Sequence, residues 1–436
     1  MNKKTGQKLW KKAKNIILGG NMLLSKNPDQ FLPEEWPSYF RKAHGCEVWD
    51  LDNQKYKDIS LMGVGTNILG YSRKEVDKEV EKAITYGNMS SLNCREEVDL
   101  AEKLIKLHPW SEMVKFARTG GEANALAVRI ARASSNKDKV AFCGYHGWHD
   151  WYLAANLNNE DNLKEHLLPG LNALGVPKNL LSSVFPFAFN DFEGLCELVN
   201  NHDIGTIKME VSRSQKPENN FLQKVRKLAD KKNIVLIFDE CTSGFRENFG
   251  GLHKKYDVKP DIAVFGKALG NGYAITAVIG KRGVMESAQS SFISSTFWTE
   301  RIGPTAALKT LDIMEKEESW TYISDLGKVI KENWKKIAEE NKVNINIWGL
   351  SALPGFTIES KNHLAYKTLI TQEMLKKGFL ATNAVYVSTA HDERTLKSYF
   401  SALDEVFKII SKCELGEDIK SFLKVPICDS GFKRLN

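Results

Sequence analysis

The sequence has no pair of cysteines spaced as C-x-x-C, and its seven cysteines are scattered along the chain. An odd number of distant cysteines forms neither a disulfide framework nor a zinc site, so we expect reduced thiols and no metal. Nowhere do about 18 apolar residues follow one another, and the apolar region of a signal peptide is missing as well. The expectation is a cytosolic protein with no membrane partner.

A large excess of charge of one sign is also missing. The 61 basic and 54 acidic residues leave a net charge of +7 on 436 residues. This mild excess suits anionic substrates and does not indicate nucleic-acid binding. We interpret the lysine-rich N-terminus as the solvated face of a helix, with a membrane surface or nucleic acid as the alternative contact. Its lysines surround Trp10: Lys3, Lys4, Lys8, Lys11, Lys12 and Lys14.

The chain is long enough to require more than one packed unit, and its 42% apolar and 26% charged residues are typical of a soluble globular protein. Short apolar runs without alternation recur in its middle part, separated by helical or polar stretches. They are 113–117, 139–143, 183–187, 206–209, 234–238, 262–265 and 274–279. Such runs predict an α/β fold with a mostly parallel sheet that is covered on both faces.

The segment that follows this sheet has a different pattern. After Leu308 the periodicity predicts long helices and a few short strands, which is typical of a smaller α+β domain. We therefore predict an N-terminal segment over residues 1–62 that contributes to the small domain. The large domain covers 63–310 and the C-terminal small domain 311–436.

Ligands bind beyond the carboxyl ends of the strands in parallel sheets, so the residues at those ends carry the functional signal. The first run leads through Gly120 and Gly121 into an alanine-rich helix, which makes an anion cradle from free backbone N–H groups. The second is followed by Tyr145, His146, Trp148 and His149. These rings form either a stacking wall for a flat cofactor or a buried aromatic cluster. Two histidines without a third ligand do not indicate a metal.

Two further strand ends carry a carboxylate and an amine. The run 234–238 ends on Asp239 and Glu240, and a buried carboxylate beside a heteroaromatic nitrogen keeps that nitrogen protonated. The run 262–265 is followed by Lys267 in a glycine-rich loop, where a lysine amine suits Schiff-base chemistry. Taken singly, Asp239 also fits a helix cap and Lys267 a surface turn. Their joint occurrence with the cradle and the aromatic residues, each at the end of its own strand, favours a cofactor site.

At these motifs the chain resembles class III aminotransferases. The string 237–240, with Gly244-Phe245-Arg246 behind it, and the turn 266–272 resemble the family signature. The segment 120–123 resembles the family's S-G-T-E-A turn, and 145–147 its Y-H-G. The resemblance spans about residues 15–410 and is nearest to glutamate-1-semialdehyde 2,1-aminomutase and to relatives encoded among surface-polysaccharide genes.

The resemblance implies the aspartate-aminotransferase-like fold (fold type I) of pyridoxal-5′-phosphate (PLP) enzymes. It also implies a small-molecule amino donor, a carbonyl acceptor and a homodimer with shared active sites. The implied residue roles are as follows: Lys267 forms the Schiff base and moves the proton, Asp239 pairs with the pyridine nitrogen, Gly120 and Gly121 bind the phosphate, Tyr145 stacks on the ring, Glu210 lies near the site, and Thr296 reaches the phosphate of the neighbouring subunit's cofactor.

The chain departs from the family pattern at several positions. Trp298-Thr299-Glu300 stands where members usually have a small residue, glycine and asparagine, and Cys241 replaces a usual valine. Val64 stands where the aminomutase has a tryptophan, and Lys26 lies nearest to its substrate-carboxylate arginine; a lysine lacks the bidentate fork.

These departures indicate a different acceptor. We therefore expect an aminotransferase that moves an amino group from an amino acid to an aldehyde or ketone, with sugar-derived or phosphorylated acceptors as one class. The first alternative is an intramolecular aminomutase of the glutamate-1-semialdehyde type. Another PLP reaction and a non-catalytic protein of this fold are the remaining alternatives.

Overall fold

The structure is a computed structural model that describes residues 4–159, 161–163 and 171–430. The chain divides into two compact units. The large unit is Lys74–Thr321, and the small unit combines Met1–Arg73 with Tyr322–Asn436. The predicted domain boundaries at residues 62 and 310 lie upstream of these two division points.

The regular elements are numbered in chain order. The strands are β1 Phe40–His44, β2 Glu47–Asp50, β3 Lys55–Ile59, β4 Met113–Ala117, β5 Lys139–Cys143, β6 Val184–Pro186, β7 Ile204–Glu210, β8 Val235–Glu240, β9 Ile262–Phe265, β10 Thr276–Gly280, β11 Ile345–Trp348, β12 Gly355–Ile358 and β13 Phe379–Ala381. The α-helices are α1 Thr5–Ile16, α2 Met62–Gly65, α3 Lys74–Thr85, α4 Arg95–Leu107, α5 Gly120–Ser135, α6 Asp150–Leu153, α7 Phe192–Asn201, α8 Phe221–Lys232, α9 Arg282–Met285, α10 Ile302–Glu317, α11 Ser319–Glu340, α12 His363–Lys376 and α13 Glu393–Glu414.

The described part of the large unit contains a seven-stranded sheet in the order β4-β10-β9-β8-β7-β5-β6. Strand β10 runs antiparallel to both of its neighbours, and the pairs from β9 to β6 are parallel. The predicted α/β fold with a mostly parallel sheet is therefore confirmed. The runs 113–117, 139–143 and 262–265 match β4, β5 and β9 residue for residue.

Two central strands are longer than predicted. Strand β7 extends to Glu210 and β8 to Glu240, so acidic residues form the last pairs of the sheet. Glu210 stands in register with Asp239 across the parallel ladder. A prediction based on apolar runs stops at the first charged residue, whereas backbone pairing continues for as long as the neighbouring strand offers partners.

Helix α5 covers one face of this sheet. Its small residues Ala123, Ala127 and Ala131 are four apart and fully buried, so that the helix axis can lie close to the strands. They pack in one apolar cluster with Ile237 and Val264, among others. Tight packing of this helix fixes its N-terminus at the carboxyl edge of the sheet.

The small unit contains a four-stranded sheet in the order β1-β2-β3-β13, and β11 pairs with β12. The predicted hairpin over residues 45–59 is confirmed as β2 and β3, with Asn53 at a φ of 63° in the turn. Strand β1 was not predicted because it is an edge strand with mostly exposed side chains, and β13 has only three residues. Val64 and Lys26 both belong to this unit.

The predicted N-terminal helix is confirmed as α1, which buries Trp10 and Ala13 while its lysines face outward. Lys3 of the predicted lysine cluster lies outside the described residues. A search of the described residues finds no helix with the length and apolarity needed to span a membrane.

A buried carboxylate holds the loop that follows β8. Glu240 is fully buried, and its Oε2 accepts hydrogen bonds from Ser243 Oγ at 2.6 Å and Leu252 N at 2.9 Å. Its Oε1 accepts from His253 N at 2.8 Å and lies 2.9 Å from His253 Nδ1. Burial raises the pKa of Glu240, but these hydrogen bonds and His253 bring the pKa below its ordinary value. Glu240 therefore has a structural role, which is to hold the loop after β8 in place.

We predict that Glu240→Ala lowers the free energy of unfolding by about 3–5 kcal/mol at neutral pH, because it leaves several buried donors without an acceptor. Since the folded pKa of Glu240 is depressed, its contribution is present above the unfolded pKa of about 4.3 and is lost as the pH falls through the folded pKa. The free energies of unfolding of wild type and variant, measured with urea, should therefore approach each other as the pH is lowered. The exposed Glu315→Ala is the control, with a change within about 0.5 kcal/mol; a pH-independent loss at Glu240 would contradict the assignment.

Candidate active site

The turn between β4 and α5 leaves two backbone amides free to bind an anion. Thr119 caps the helix: its Oγ1 accepts from Glu122 N at 3.4 Å, and Glu122 Oε2 accepts from Thr119 N at 2.9 Å. The amides of Gly120 and Gly121 lie in the first turn, where a helix offers no carbonyl partner. The positive end of the helix dipole adds to this site, so the turn has the chemistry of a phosphate cradle.

The segment Trp298-Thr299-Glu300 is bound to this turn by the protein itself. Arg118 Nη2 donates to the carbonyl oxygens of Trp298 and Glu300, both at 2.8 Å, and its Nε lies 2.9 Å from Glu300 Oε1. Trp298 Nε1 donates to Glu122 Oε1 at 3.3 Å. The Glu300 carboxylate also accepts from the first amides of α10 at 2.8 and 2.9 Å. Trp298 and Glu300 therefore stabilise the turn that forms the cradle, through their contacts with Glu122 and Arg118.

The aromatic residues after β5 serve different purposes. His146 is fully buried, with Nδ1 2.8 Å from Asp239 Oδ2 and Nε2 3.1 Å from the carbonyl oxygen of Cys143. Both ring nitrogens thus face acceptors. Tyr145 is half-buried, whereas Trp148 is exposed and stacks on His149 with ring centroids 4.7 Å apart. The buried aromatic cluster is therefore confirmed for His146, while a stacking role of Tyr145 towards a cofactor stays a prediction.

Glu210 lies against the start of this aromatic loop. Its Oε2 accepts from Tyr145 N at 3.2 Å, and Arg213 Nη1 lies 3.4 Å from its Oε1. A Cβ atom at Gly144 would stand 2.6 Å from Glu210 Oε2, and the φ of +107° at this position also requires glycine. Gly144 thus lets the backbone turn close to the carboxylate.

Asp239 is a buried and ionised carboxylate. Its Oδ2 accepts from His146, and its Oδ1 accepts from Cys241 N at 3.0 Å. Burial raises the pKa of Asp239, but the His146 hydrogen bond and the charge of Lys208 hold the pKa well below its ordinary value. Because side chains alternate along a strand, Asp239 and Glu240 face opposite sides of the sheet, and Asp239 is the one near the aromatic loop.

Lys267 follows β9 in a strained conformation. Its φ is +43°, a region that costs a non-glycine residue on the order of 1–2 kcal/mol and that often marks functional sites. Lys267 Nζ donates to Thr242 Oγ1 at 2.8 Å. Cys241 Sγ lies beside both Gly266, which precedes Lys267, and Gly120 of the cradle. A Cβ atom added at Gly266 would stand 3.3 Å from this sulfur, and one added at Gly120 would stand 3.6 Å from it. The lysine turn and the phosphate cradle therefore border the same side chain.

The large unit thus brings most of the predicted site residues to one edge of its sheet: Gly120, Gly121, Tyr145, Glu210, Asp239 and Lys267. Thr296 is exposed, and its side chain makes no hydrogen bond within the part of the chain that the structure describes. Two contacts of this site were missed, the His146 bond to Asp239 and the Thr242 bond to Lys267. The only sequence signal for them was proximity to the motif residues.

A phosphate cradle, a buried carboxylate and a lysine at the strand ends of an α/β domain define a fold type I PLP-dependent transferase. The family profile described as "Aminotransferase class-III" matches residues 33–392. The chain therefore belongs to the class III aminotransferase family. Family membership confirms the predicted enzyme class and its cofactor, pyridoxal 5′-phosphate.

Relatives with two different named activities match the chain. The chain is 33% identical to the 3-aminobutyryl-CoA aminotransferase of Cloacimonas acidaminovorans, over 84% of this chain and 86% of the relative. It is 30% identical to the glutamate-1-semialdehyde 2,1-aminomutase of Methanothrix thermoacetophila, over 81% and 82%. Among solved structures, the FumI protein of Sphingopyxis sp. MTA144 in its PLP internal aldimine form has a TM-score of 0.85 at 21% identity, covering 95% of this chain and 98% of its own. That likeness supports the fold.

We predict that Glu122→Ala loosens the cradle. Loss of the capping box should lower the free energy of unfolding by about 1 kcal/mol and weaken PLP binding by about fivefold, because the amides of Gly120 and Gly121 are no longer pre-organised. Chemical denaturation and a fluorescence titration with PLP measure the two effects. Glu122→Gln is the matched control, since glutamine also forms capping boxes. Equal losses in both variants would contradict a role of the cap.

Proposed function

We propose that this enzyme transfers an amino group from an amino-acid donor to an aldehyde or ketone acceptor, with Lys267 as the Schiff-base residue. The observation that carries the proposal is the placement of Lys267 Nζ and the ionised Asp239 on either side of the Cys241-Thr242 turn, next to the helix cradle. When bound, PLP supplies an aldehyde for amines and a ring that accepts an electron pair.

The residues present fit this group. The amides of Gly120 and Gly121 would bind the phosphate. Asp239 would accept a hydrogen bond from the ring nitrogen and keep it protonated, because the pKa of this carboxyl is held below its ordinary value and a negative charge beside the ring favours the protonated nitrogen. Tyr145 would pack against the ring, and Glu210 would hold the Tyr145 backbone in place through the bond to its amide.

Lys267 would also move the proton. With the cofactor and substrate bound, the amine of Lys267 would be the base that accepts the proton leaving the substrate α-carbon. Thr242 Oγ1, at 2.8 Å, gives the free amine a hydrogen-bond partner that keeps it close. The donor and acceptor would bind in turn, so that the two half-reactions follow ping-pong kinetics.

The proposed acceptor class rests on the charge of the chain. The net charge of +7 suits an anionic acceptor, and we propose an aldehyde or ketone that carries phosphate or is derived from a sugar. An intramolecular aminomutase is the second candidate, supported by relatives of that name at up to 31% identity. Assaying glutamate-1-semialdehyde for conversion to 5-aminolevulinate separates the two, and robust turnover would overturn intermolecular transfer.

We predict that Lys267→Ala abolishes the visible absorbance band of the lysine-bound cofactor and lowers kcat at least about a hundredfold, because both the Schiff base and the proton carrier are lost. Lys316→Ala, an exposed lysine of α10, is the control and should keep both. Wild type should convert its band to that of the aminated cofactor when an amino donor is added. An unchanged spectrum in Lys267→Ala, or no conversion with a broad donor panel, would contradict the mechanism.

We further propose a homodimer in which Thr296 serves the site of the partner. Three large apolar side chains of the large unit, Trp148, Phe292 and Phe297, are 69%, 86% and 69% exposed. Exposed aromatic residues around a site are typical of a protein interface. The exposed position of Thr296, one residue before Phe297, supports its use by a second subunit.

Mixed dimers test this arrangement. Thr296→Asp should weaken PLP binding because the carboxylate repels the phosphate, and Lys267→Ala forms no lysine-bound cofactor. If Thr296 acts across the interface, co-expression of the two variants restores about one quarter of the sites, since each mixed dimer has one intact site. Absorbance of the lysine-bound cofactor in the purified mixture measures this fraction. No restoration in a mixture shown to contain mixed dimers would exclude the shared site.

A further inference from the structure

Lys208 is a fully buried lysine inside the central sheet. It lies on β7 with a fully buried side chain, and its Nζ makes no hydrogen bond to any residue of the described ranges. Moving an ammonium group out of water without hydrogen bonds is strongly unfavourable unless nearby charges offset the cost. Apolar residues flank it in sequence, so packing alone does not account for a lysine here.

The strand register shows which charges lie near Lys208. Side chains alternate along a strand, so Lys208 and Glu210 project from the same face of β7. In the parallel ladder Lys208 stands beside Ile237 and Glu210 beside Asp239. Neighbouring strands lie about 4.8 Å apart, so the side chains of Glu210 and Asp239 project from adjacent backbone positions. Lys208 lies two residues before Glu210 on the same face of the sheet.

Two adjacent carboxylates destabilise each other's ionised form, which normally raises the pKa of one of them. The pKa of Lys208 lies below its ordinary value, because burial lowers it by more than the nearby carboxylates of Asp239 and Glu210 raise it. The described structure shows no ionisable side chain among the buried residues of α5, which covers this face. Arg213 pairs with Glu210 and His146 bonds to Asp239, each from a loop. Lys208 is the basic residue of the strand itself that interacts with both carboxylates.

We propose that Lys208 is a positioning residue that keeps Glu210 and Asp239 ionised together. A positive charge behind Asp239 favours negative charge on its carboxylate, and so places the shared proton of the Asp239–ring hydrogen bond on the ring nitrogen. The inference rests on the proposed role of Asp239. It assigns a function to a residue that no motif singled out.

The first test uses the apoprotein, so that it does not depend on the reaction. Without the cation, one carboxyl of Lys208→Met should acquire a raised pKa. Stability from a raised pKa is present at low pH and is lost as the pH rises through it. The unfolding constant of Lys208→Met relative to wild type should thus rise by up to about tenfold per pH unit above pH ~4.5, until it levels off at that raised pKa. Urea unfolding between pH 4.5 and 8 measures it.

Charge removal at the partner is the matched control. In Lys208→Met/Glu210→Gln a single carboxylate remains, so the added pH dependence should disappear, and the curve should follow that of Glu210→Gln. Lys208→Arg retains the charge and should keep the wild-type profile. A pH dependence of Lys208→Met parallel to wild type, or one that persists in the double variant, would overturn the proposal.

The second test reads the ring proton directly. PLP labelled with ¹⁵N at its ring nitrogen should give a protonated signal in wild type, a shift towards the unprotonated value in Lys208→Met, and recovery in the double variant. If wild type does not bind the cofactor through Lys267, the proposed function fails. If it does, and Lys208→Met gives the wild-type signal, only the role of Lys208 fails.

Failure of a variant to fold is also informative. If Lys208→Met is insoluble while the double variant folds, uncompensated negative charge is the cause and the proposal is supported. If the double variant is insoluble as well, Lys208 is needed for packing and the proposal is overturned.

Discussion

The site depends on keeping the buried carboxyl group of Asp239 ionised at the edge of a parallel sheet. Burial favours the neutral form of Asp239, and Glu210 stands beside it in register. In the proposed function, only the ionised carboxylate would keep a pyridine nitrogen protonated. The surrounding contacts answer this constraint: the His146 ring and the amide of Cys241 donate to Asp239, and Lys208 supplies positive charge from within the sheet. Each of these groups is positioned by a different strand or loop.

Side chains alternate along β8, so its two consecutive acidic residues face opposite sides of the sheet and have different roles. Glu240 faces one side of the sheet and holds the loop that follows, with four donors on its two oxygens. Asp239 faces the other side, where it would pair with the cofactor ring in the proposed function. Since Thr242 lies in the loop that Glu240 anchors, and Lys267 bonds to Thr242, the structural carboxylate also fixes the partner of the reactive amine.

The residues that depart from the family pattern gain a different meaning from the tertiary structure. Trp298 and Glu300 looked like substrate-specific replacements because they are bulky and charged where relatives have small residues. In the structure Trp298 bonds to the helix cap at Glu122, and Glu300 pairs with Arg118. Specificity is therefore to be sought at neighbouring exposed positions such as Thr299.

Most strands of the large sheet, the fold class and the family could be predicted from the amino-acid sequence, because continuous apolar runs and short motifs are local signals. It predicted β4, β5 and β9 to the residue and placed Gly120, Gly121, Asp239 and Lys267 at or next to strand ends. The fold was needed to show that β7 and β8 continue through Glu210 and Glu240, that His146 bonds to Asp239 across 93 positions, and that Arg118 reaches Trp298 across 180. Contacts between such distant residues depend on strand order and register, and no local pattern encodes these.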